Sequence, residues 1–224
     1  MTTKAPVPTT TSWHDVVVAI PTILPARQRA LDQLMGRVAA ECPGALVLVA
    51  PHAAGEPARV DFPRVLAAAA RVGRPWILQL EDDVELCPGF GQRALKAGLD
   101  RADCVTLFSR SAADLDALRR GETLRKISPS AFSMSQAFFL RAEVVAGIEG
   151  CAVQWYAHHP EHNRGADLLL GHLLSSLNAR VLVRIPSLVQ HRRLPTTLPN
   201  HRGARQSESY RAAFGELAED DHGA

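Results

Sequence analysis

Short runs of β-branched and aliphatic residues alternate with longer segments of helical periodicity from Asp15 almost to Pro186, and few folds accommodate that rhythm. A buried run needs strands beside it and an amphipathic segment needs a face to cover, so the pattern predicts a mostly parallel sheet clothed by helices. Residues 15–20 (DVVVAI) read as a first buried strand ending at Pro21 and Thr22, after which Leu31, Leu34, Met35 and Val38 recur at helical spacing on a segment starting near Pro25. Residues 45–50 (ALVLVA) give a second strand and the Ala-rich stretch 63–72 a second helix. Residues 76–80 (WILQL) form a third strand that runs straight into Glu81, Asp82 and Asp83. Pro88 and Gly89 then open a helix expected to reach about Ala102, followed by a fourth strand over 104–108.

The middle of the chain is less regular. A short helix is expected over 112–120, with strands over 124–127 and 134–140. Residues 165–177 form a late helix with Leu169, Leu170, Leu173, Leu174 and Leu177 on its apolar side and Asn178 at its C-terminus. A last strand covers 180–185. No repeat and no linker divides the chain, so one domain is expected over 13–194. A disordered Pro/Thr leader would precede it over 1–12, and a flexible tail or active-site lid would follow over 195–224.

Composition narrows the class. A chain of 224 residues with 46% apolar side chains can bury a full core, while only 5% aromatics point to an aliphatic, helix-rich interior rather than a small β-sandwich. The net charge of +2 gives no reason to expect a dedicated nucleic-acid or membrane binder. Cys42, Cys87, Cys104 and Cys151 show no C-x-x-C spacing, so they read as buried, reduced thiols. The N-terminal stretch has no apolar signal core, and every later apolar run is cut by charge or proline before spanning length, so no membrane span and a cytoplasmic location are expected.

The acidic triplet carries the chemistry. In open α/β sheets ligands bind outside the carboxyl ends of strands, and adjacent carboxylates there repel each other unless a cation or basic groups neutralise them. A solvated acidic turn is the plainer alternative. Pro21, Thr22, Arg27 and Arg29 stand at the carboxyl end of another strand, where a hydroxyl, backbone amides and guanidinium groups can meet an anionic nucleotide. His191, in the segment PSLVQH, places an imidazole just after the last strand.

Together, VVVAIPT with a following Arg, WILQLEDDV and PSLVQH resemble, in order and spacing, the nucleotide-sugar glycosyltransferases of the GT-A type. The resemblance implies a GT-A-like fold, a single Rossmann-like mixed sheet flanked by helices. Glu81-Asp82-Asp83 stands for the D-x-D-type metal motif in an E-D-D form. Asp83 and His191 would hold Mn²⁺, or Mg²⁺, with Glu81 as a further ligand; Asp82 or Glu81 would face the ribose or metal-bound water. Pro21, Thr22 and Arg27 would hold the nucleotide of a donor, most simply a UDP-sugar. The partner would be a hydroxyl-bearing acceptor: a glycan, a small molecule, modified DNA or a peptide.

If configuration inverts, a carboxylate must take the acceptor proton. Asp167, in the first turn of the 165–177 helix, is the candidate; its alternative role is to complement the helix dipole. The tail residues Arg192, Arg193, His201, Arg202 and Arg205 could close over a diphosphate, with Arg202 contacting the donor, could meet a phosphate-bearing acceptor, or could stay solvated. His158-His-Pro-Glu-His162 spells an inverted zinc-peptidase motif, but Pro160 would break the helix that motif requires. A loop beside the acceptor site, with Trp155 and Tyr156 as stacking surfaces, suits the segment better. A nucleotidyltransferase would also use strand-end carboxylates, yet the first turn lacks a Gly-rich loop and a Lys; a non-catalytic nucleotide- or glycan-binding domain is the remaining alternative.

Overall fold

A computed structural model describes residues 11–52, 58–132, 135–160, 165–192 and 206–216. Its centre is a seven-stranded sheet in the order β2-β1-β3-β7-β5-β8-β6. The strands are β1 (Val16–Ile23), β2 (Leu46–His52), β3 (Trp76–Leu80), β5 (Cys104–Thr106), β6 (Leu124–Ile127), β7 (Ala137–Arg141) and β8 (Val181–Arg184). Five of these strands run the same way, and β7 and β6 run against them. This is the single α/β mixed sheet flanked by helices that the resemblance implied. The carboxyl ends of β1, β3, β5 and β8 therefore share one edge.

The period-2 pattern of the strands divides the core into two layers. On one face Val16, Val18 and Ile20, with Trp76, Leu78, Leu80 and Phe139, pack against α1 (Gln28–Glu41), α3 (Phe90–Leu95) and α7 (Glu208–Phe214). On the other, Val17, Ala19, Ile77, Phe138 and Leu140 pack against α2 (Ala58–Arg71), α5 (Ile148–His158) and α6 (Ala166–Ser176). The remaining helix, α4 (Ala112–Arg119), packs beside β8 through Ala117.

Several elements differ from their sequence-based expectation. β1 continues through Pro21 to Ile23, because β2 pairs with it over its last residues. The helix expected to reach Ala102 stops at Leu95; Gly98, at φ +81°, turns the chain into a 3-10 turn over Leu99–Arg101. Trp155, Tyr156 and His158, expected in or beside a loop, lie in the helix α5 over Ile148–His158. Trp155 stacks within it against His159 (4.0 Å between centroids) and His172 (4.6 Å). Leu177, expected on the apolar side of the late helix, is 53% exposed.

Glu161 and His162 lie outside the described residues, as do 1–10 of the expected leader. So do the tail arginines Arg193, Arg202 and Arg205, with His201. Of the segment expected to be a flexible tail or lid, residues 206–216 are described, and they are packed: Ser207, Ser209 and Tyr210 are buried. Among the described residues no helix is long and apolar enough to cross a membrane.

One close approach fixes how α3 meets the end of α1. A Cβ on Gly91 would sit 1.7 Å from the backbone oxygen of Glu41, and the Gly91 amide donates to the Glu41 carboxylate at 3.1 Å. Gly91→Ala is therefore expected to destabilise the fold by about 1–3 kcal/mol, as overpacking does. Gly36→Ala, in α1 with nothing near its Cβ position, is expected to stabilise it by about 0.5–1 kcal/mol. Urea unfolding of the two variants checks both signs.

Candidate metal and nucleotide site

Strand register sets two of the expected residues side by side. Ala19 pairs with Gln79 across the parallel β1 and β3, so three residues further along each strand Thr22 and Asp82 come level. The Thr22 hydroxyl donates to Asp82 Oδ2 at 2.7 Å, and Thr22 is 1% exposed. Burial pushes the Asp82 carboxyl above its usual range; the Thr22 hydroxyl pulls it back down, and the neighbouring Asp83 charge pushes it up. Thr22 thus spends its one O–H donor on the triplet itself. Pro21, beside it in β1, is half-buried opposite Ala50.

Arg27 ends the turn between β1 and α1, where its amide donates to the Ile23 carbonyl at 2.9 Å. Its guanidinium reaches Asp83 at 3.3 Å, with both side chains 8% exposed. A basic group from the first βα turn is thereby set against the acidic end of β3, as the charge pattern suggested.

His191 arrives by a device that its flanking sequence barely signals. β4 (Val84–Leu86) and β9 (Val189–His191) form a separate two-stranded antiparallel ribbon in which Val84 pairs with His191. The ladder continues one step further, the Arg192 amide donating to the Asp83 carbonyl at 2.8 Å. The imidazole Nε2 then lies 3.5 Å from Asp83 Oδ2 and 3.9 Å from Glu81 Oε2. Its Nδ1 is 2.8 Å from the Arg192 carbonyl. A carbonyl only accepts, so Nδ1 carries a proton, which leaves Nε2, the nitrogen nearer the carboxylates, as the one that could ligate a cation.

Glu81, Asp83 and His191 bring one ligand atom each to within 4.8 Å of one another. Asp83 Oδ1 is buried without a hydrogen-bond partner, while Glu81 accepts from Ser135 Oγ at 3.0 Å. Three converging side chains, one with an unsatisfied buried oxygen, could hold a cation. Two carboxylates and one imidazole, its other nitrogen fixed by a backbone carbonyl, suit a divalent ion such as Mn²⁺.

The remaining expected residues lie apart from this triad. Asp82 is bonded to Thr22 rather than joined to the cluster. Asp167 is half-buried at the start of α6, where its Oδ1 accepts the Leu168 amide at 3.0 Å; α6 leads into β8, so its N-terminus lies toward the same carboxyl edge. Ser135, Arg192 and Gln206 are site residues whose contacts no motif announces; Gln206 donates to the His191 carbonyl at 2.7 Å. The cysteines are free, and burial pushes Cys42 up to about 12 and Cys87 up to about 11, which removes both as nucleophiles near neutral pH.

No protein-family model and no curated protein matches the chain. Among solved structures, A197 from STIV is similar over 85% of this chain and 96% of its own, at 13% identity and a TM-score of 0.51. A glycosyltransferase involved in the glycosylation of the major capsid of PBCV-1 is similar over 61% of this chain and 66% of its own, at 14% identity and a TM-score of 0.38. The first likeness is one of fold; the second is too low to weigh.

Replacing Thr22 by Val removes the donor and keeps the shape. Without divalent metal, Thr22→Val is expected to cost about 1–3 kcal/mol at neutral pH. Asp82 binds its proton more tightly when folded, so its ionisation costs stability as pH rises from the ordinary carboxylate value through its raised folded one. The Val variant raises that folded value further, and its deficit should shrink as pH falls through this window. Denaturant unfolding from pH 7 down to pH 4 reads the trend.

Proposed function

We propose that the chain is a metal-dependent glycosyltransferase of the GT-A type, moving a sugar from a nucleoside diphosphate, most simply UDP, to a hydroxyl acceptor. The observation that carries this reading is the convergence of Glu81, Asp83 and His191 beside the first βα turn, in the chain order of the motifs that resemble that family. Glu81, Asp83 and His191 would hold Mn²⁺ or Mg²⁺, which would supply positive charge to a departing diphosphate and so stabilise the transition state more than the ground state.

The chain's own groups do the rest. Arg27, tethered by Asp83, holds a second positive charge where the diphosphate leaves. Thr22 fixes Asp82, whose carboxylate then faces the ribose. The Arg192 carbonyl keeps the His191 ring in the tautomer that presents Nε2. Asp167, half-buried on the same edge, takes the proton of the acceptor hydroxyl in an inverting transfer. Arg202, in the basic stretch that follows β9 in sequence, would add a further charge-assisted contact to the donor.

The test is a panel of nucleotide sugars incubated with Mn²⁺, with diphosphate release as the readout. Turnover should require the metal and fall at least about a hundredfold in Asp83→Asn and in His191→Ala, in line with loss of electrostatic stabilisation of a leaving group. Undiminished turnover by Asp83→Asn contradicts the assignment. Donor and Mn²⁺ binding with no turnover for any donor leaves a binding domain instead.

A further inference from the structure

The edge that carries the triad has a second concavity two strands away. β5 runs parallel to β3 with β7 between them, so their carboxyl ends lie about 10 Å apart at ordinary strand spacing. There the chain leaves β5 through residues 107–110 and enters α4. A cleft of about 350 Å³ opens between this turn, β6 and the segment 131–132, within the size range of small-molecule sites.

Its lining is mixed. Ile127 and Phe132 supply apolar surface, while Ser109, Arg110, Ser111 and Arg125 supply polar groups. The two arginines are not equivalent. Arg125 gives its Nε–H to Asp114 at 2.8 Å, so its charge is already balanced by a carboxylate that is 1% exposed. Arg110 is exposed and has no ion pair among the described residues. The same turn leads into the N-terminus of α4, where Ser111 makes no side-chain cap, so the first helical amides add partial positive charge rather than offset it. The uncompensated charge of the cleft is positive, beside apolar surface.

We propose that this cleft is the acceptor subsite and that the acceptor carries an anionic oxyacid group, a carboxylate or a phosphate, with Arg110 as its counter-ion. The inference rests on the glycosyl-transfer reading for the word acceptor, but not for the anion. The apolar lining takes the body of the molecule, Arg110 and the serines hold its acidic end, and the hydroxyl is left to face the triad across the intervening start of β7. A guanidinium with no ion pair among the described residues has its charge to offer such a ligand, and its exposure lets it reorient at little cost.

Phenyl phosphate and benzoate, with phenol as the neutral control, test this on the full chain without metal or nucleotide, by amide chemical shifts in NMR. Saturable shifts centred on 109–113 and 125–127 are expected for at least one of the two anions and not for phenol, and the tighter anion identifies the acidic group. Arg110→Glu should weaken that binding at least tenfold, and Arg110→Lys should retain most of it with an unchanged melting temperature. Shifts that phenol reproduces, shifts confined to the surroundings of Arg27 and Asp83, or equal binding by Arg110→Glu overturn the proposal. Absence of donor turnover with the anion response intact overturns the glycosyl-transfer reading alone. Donor turnover with no anion response overturns the anionic acceptor alone.

Discussion

Two carboxylates and an imidazole nitrogen held together at the end of β3 are an arrangement that the rest of the molecule must work to maintain. With ligand atoms within 4.8 Å of one another, unscreened repulsion between Glu81 and Asp83 is on the order of 3–4 kcal/mol at an effective protein dielectric near 20. Arg27 offsets part of it at Asp83. The chain nevertheless brings a third acceptor in from 108 residues downstream of Asp83 (191 minus 83) and fastens it there. The ribbon of β4 and β9 fixes the register, and the Arg192 side chain bonds Glu85 of β4 and Gln33 of α1. The segment after the gap in the described chain joins in: Gln206 bonds the His191 carbonyl, and Ser207 pairs through its backbone with the Gln190 side chain. Fastening of that kind at an electrostatically costly point is what a cation-binding centre needs in order to be preorganised.

The concavity at the end of β5 is tied to the same scaffold. The Leu188 amide donates to the Leu107 carbonyl at 2.8 Å, and the Ser109 amide to Ser187 Oγ at 3.0 Å. Ser187 in turn accepts from Ser207 Oγ at 2.8 Å. One buried polar network therefore joins the floor of the cleft, the approach to β9 and the start of α7. Buried groups that satisfy one another in this way are costly to disturb singly, so the two places on the carboxyl edge keep a fixed relation.

Much of this was legible in the residues. The buried runs of β1 and β3 and the periodicity of Leu31, Leu34 and Val38 specify the βα units directly, because period and burial are local properties. The meeting of the first turn with Glu81-Asp82-Asp83 follows from adjacent parallel strands ending at one edge, so Thr22, Arg27 and Asp83 could be grouped before any coordinates. Other features depend on pairing over long separation. β4 and β9 are three residues each, too short for alternation to show. Ser135 and Gln206 gain meaning only from what they touch. α5 escaped because its composition is weakly patterned and Pro160 just beyond it suggested a loop. Within the segment expected to be a flexible tail or active-site lid, Ser207, Ser209 and Tyr210 are buried because residues far upstream complement them, which local polarity cannot reveal.

The cation at the end of β3 is the claim on which the rest turns, and Mn²⁺ itself can report on it. Electron spin-echo spectroscopy of the protein loaded with one equivalent of Mn²⁺ detects a directly bound imidazole through its nitrogen coupling. A cation shared by Glu81, Asp83 and His191 predicts a nitrogen signal in the unaltered chain, its loss in His191→Ala, and a large drop in Mn²⁺ affinity in Asp83→Asn. Equal Mn²⁺ affinity in all three proteins, or bound Mn²⁺ showing no nitrogen coupling in the unaltered chain, would contradict it.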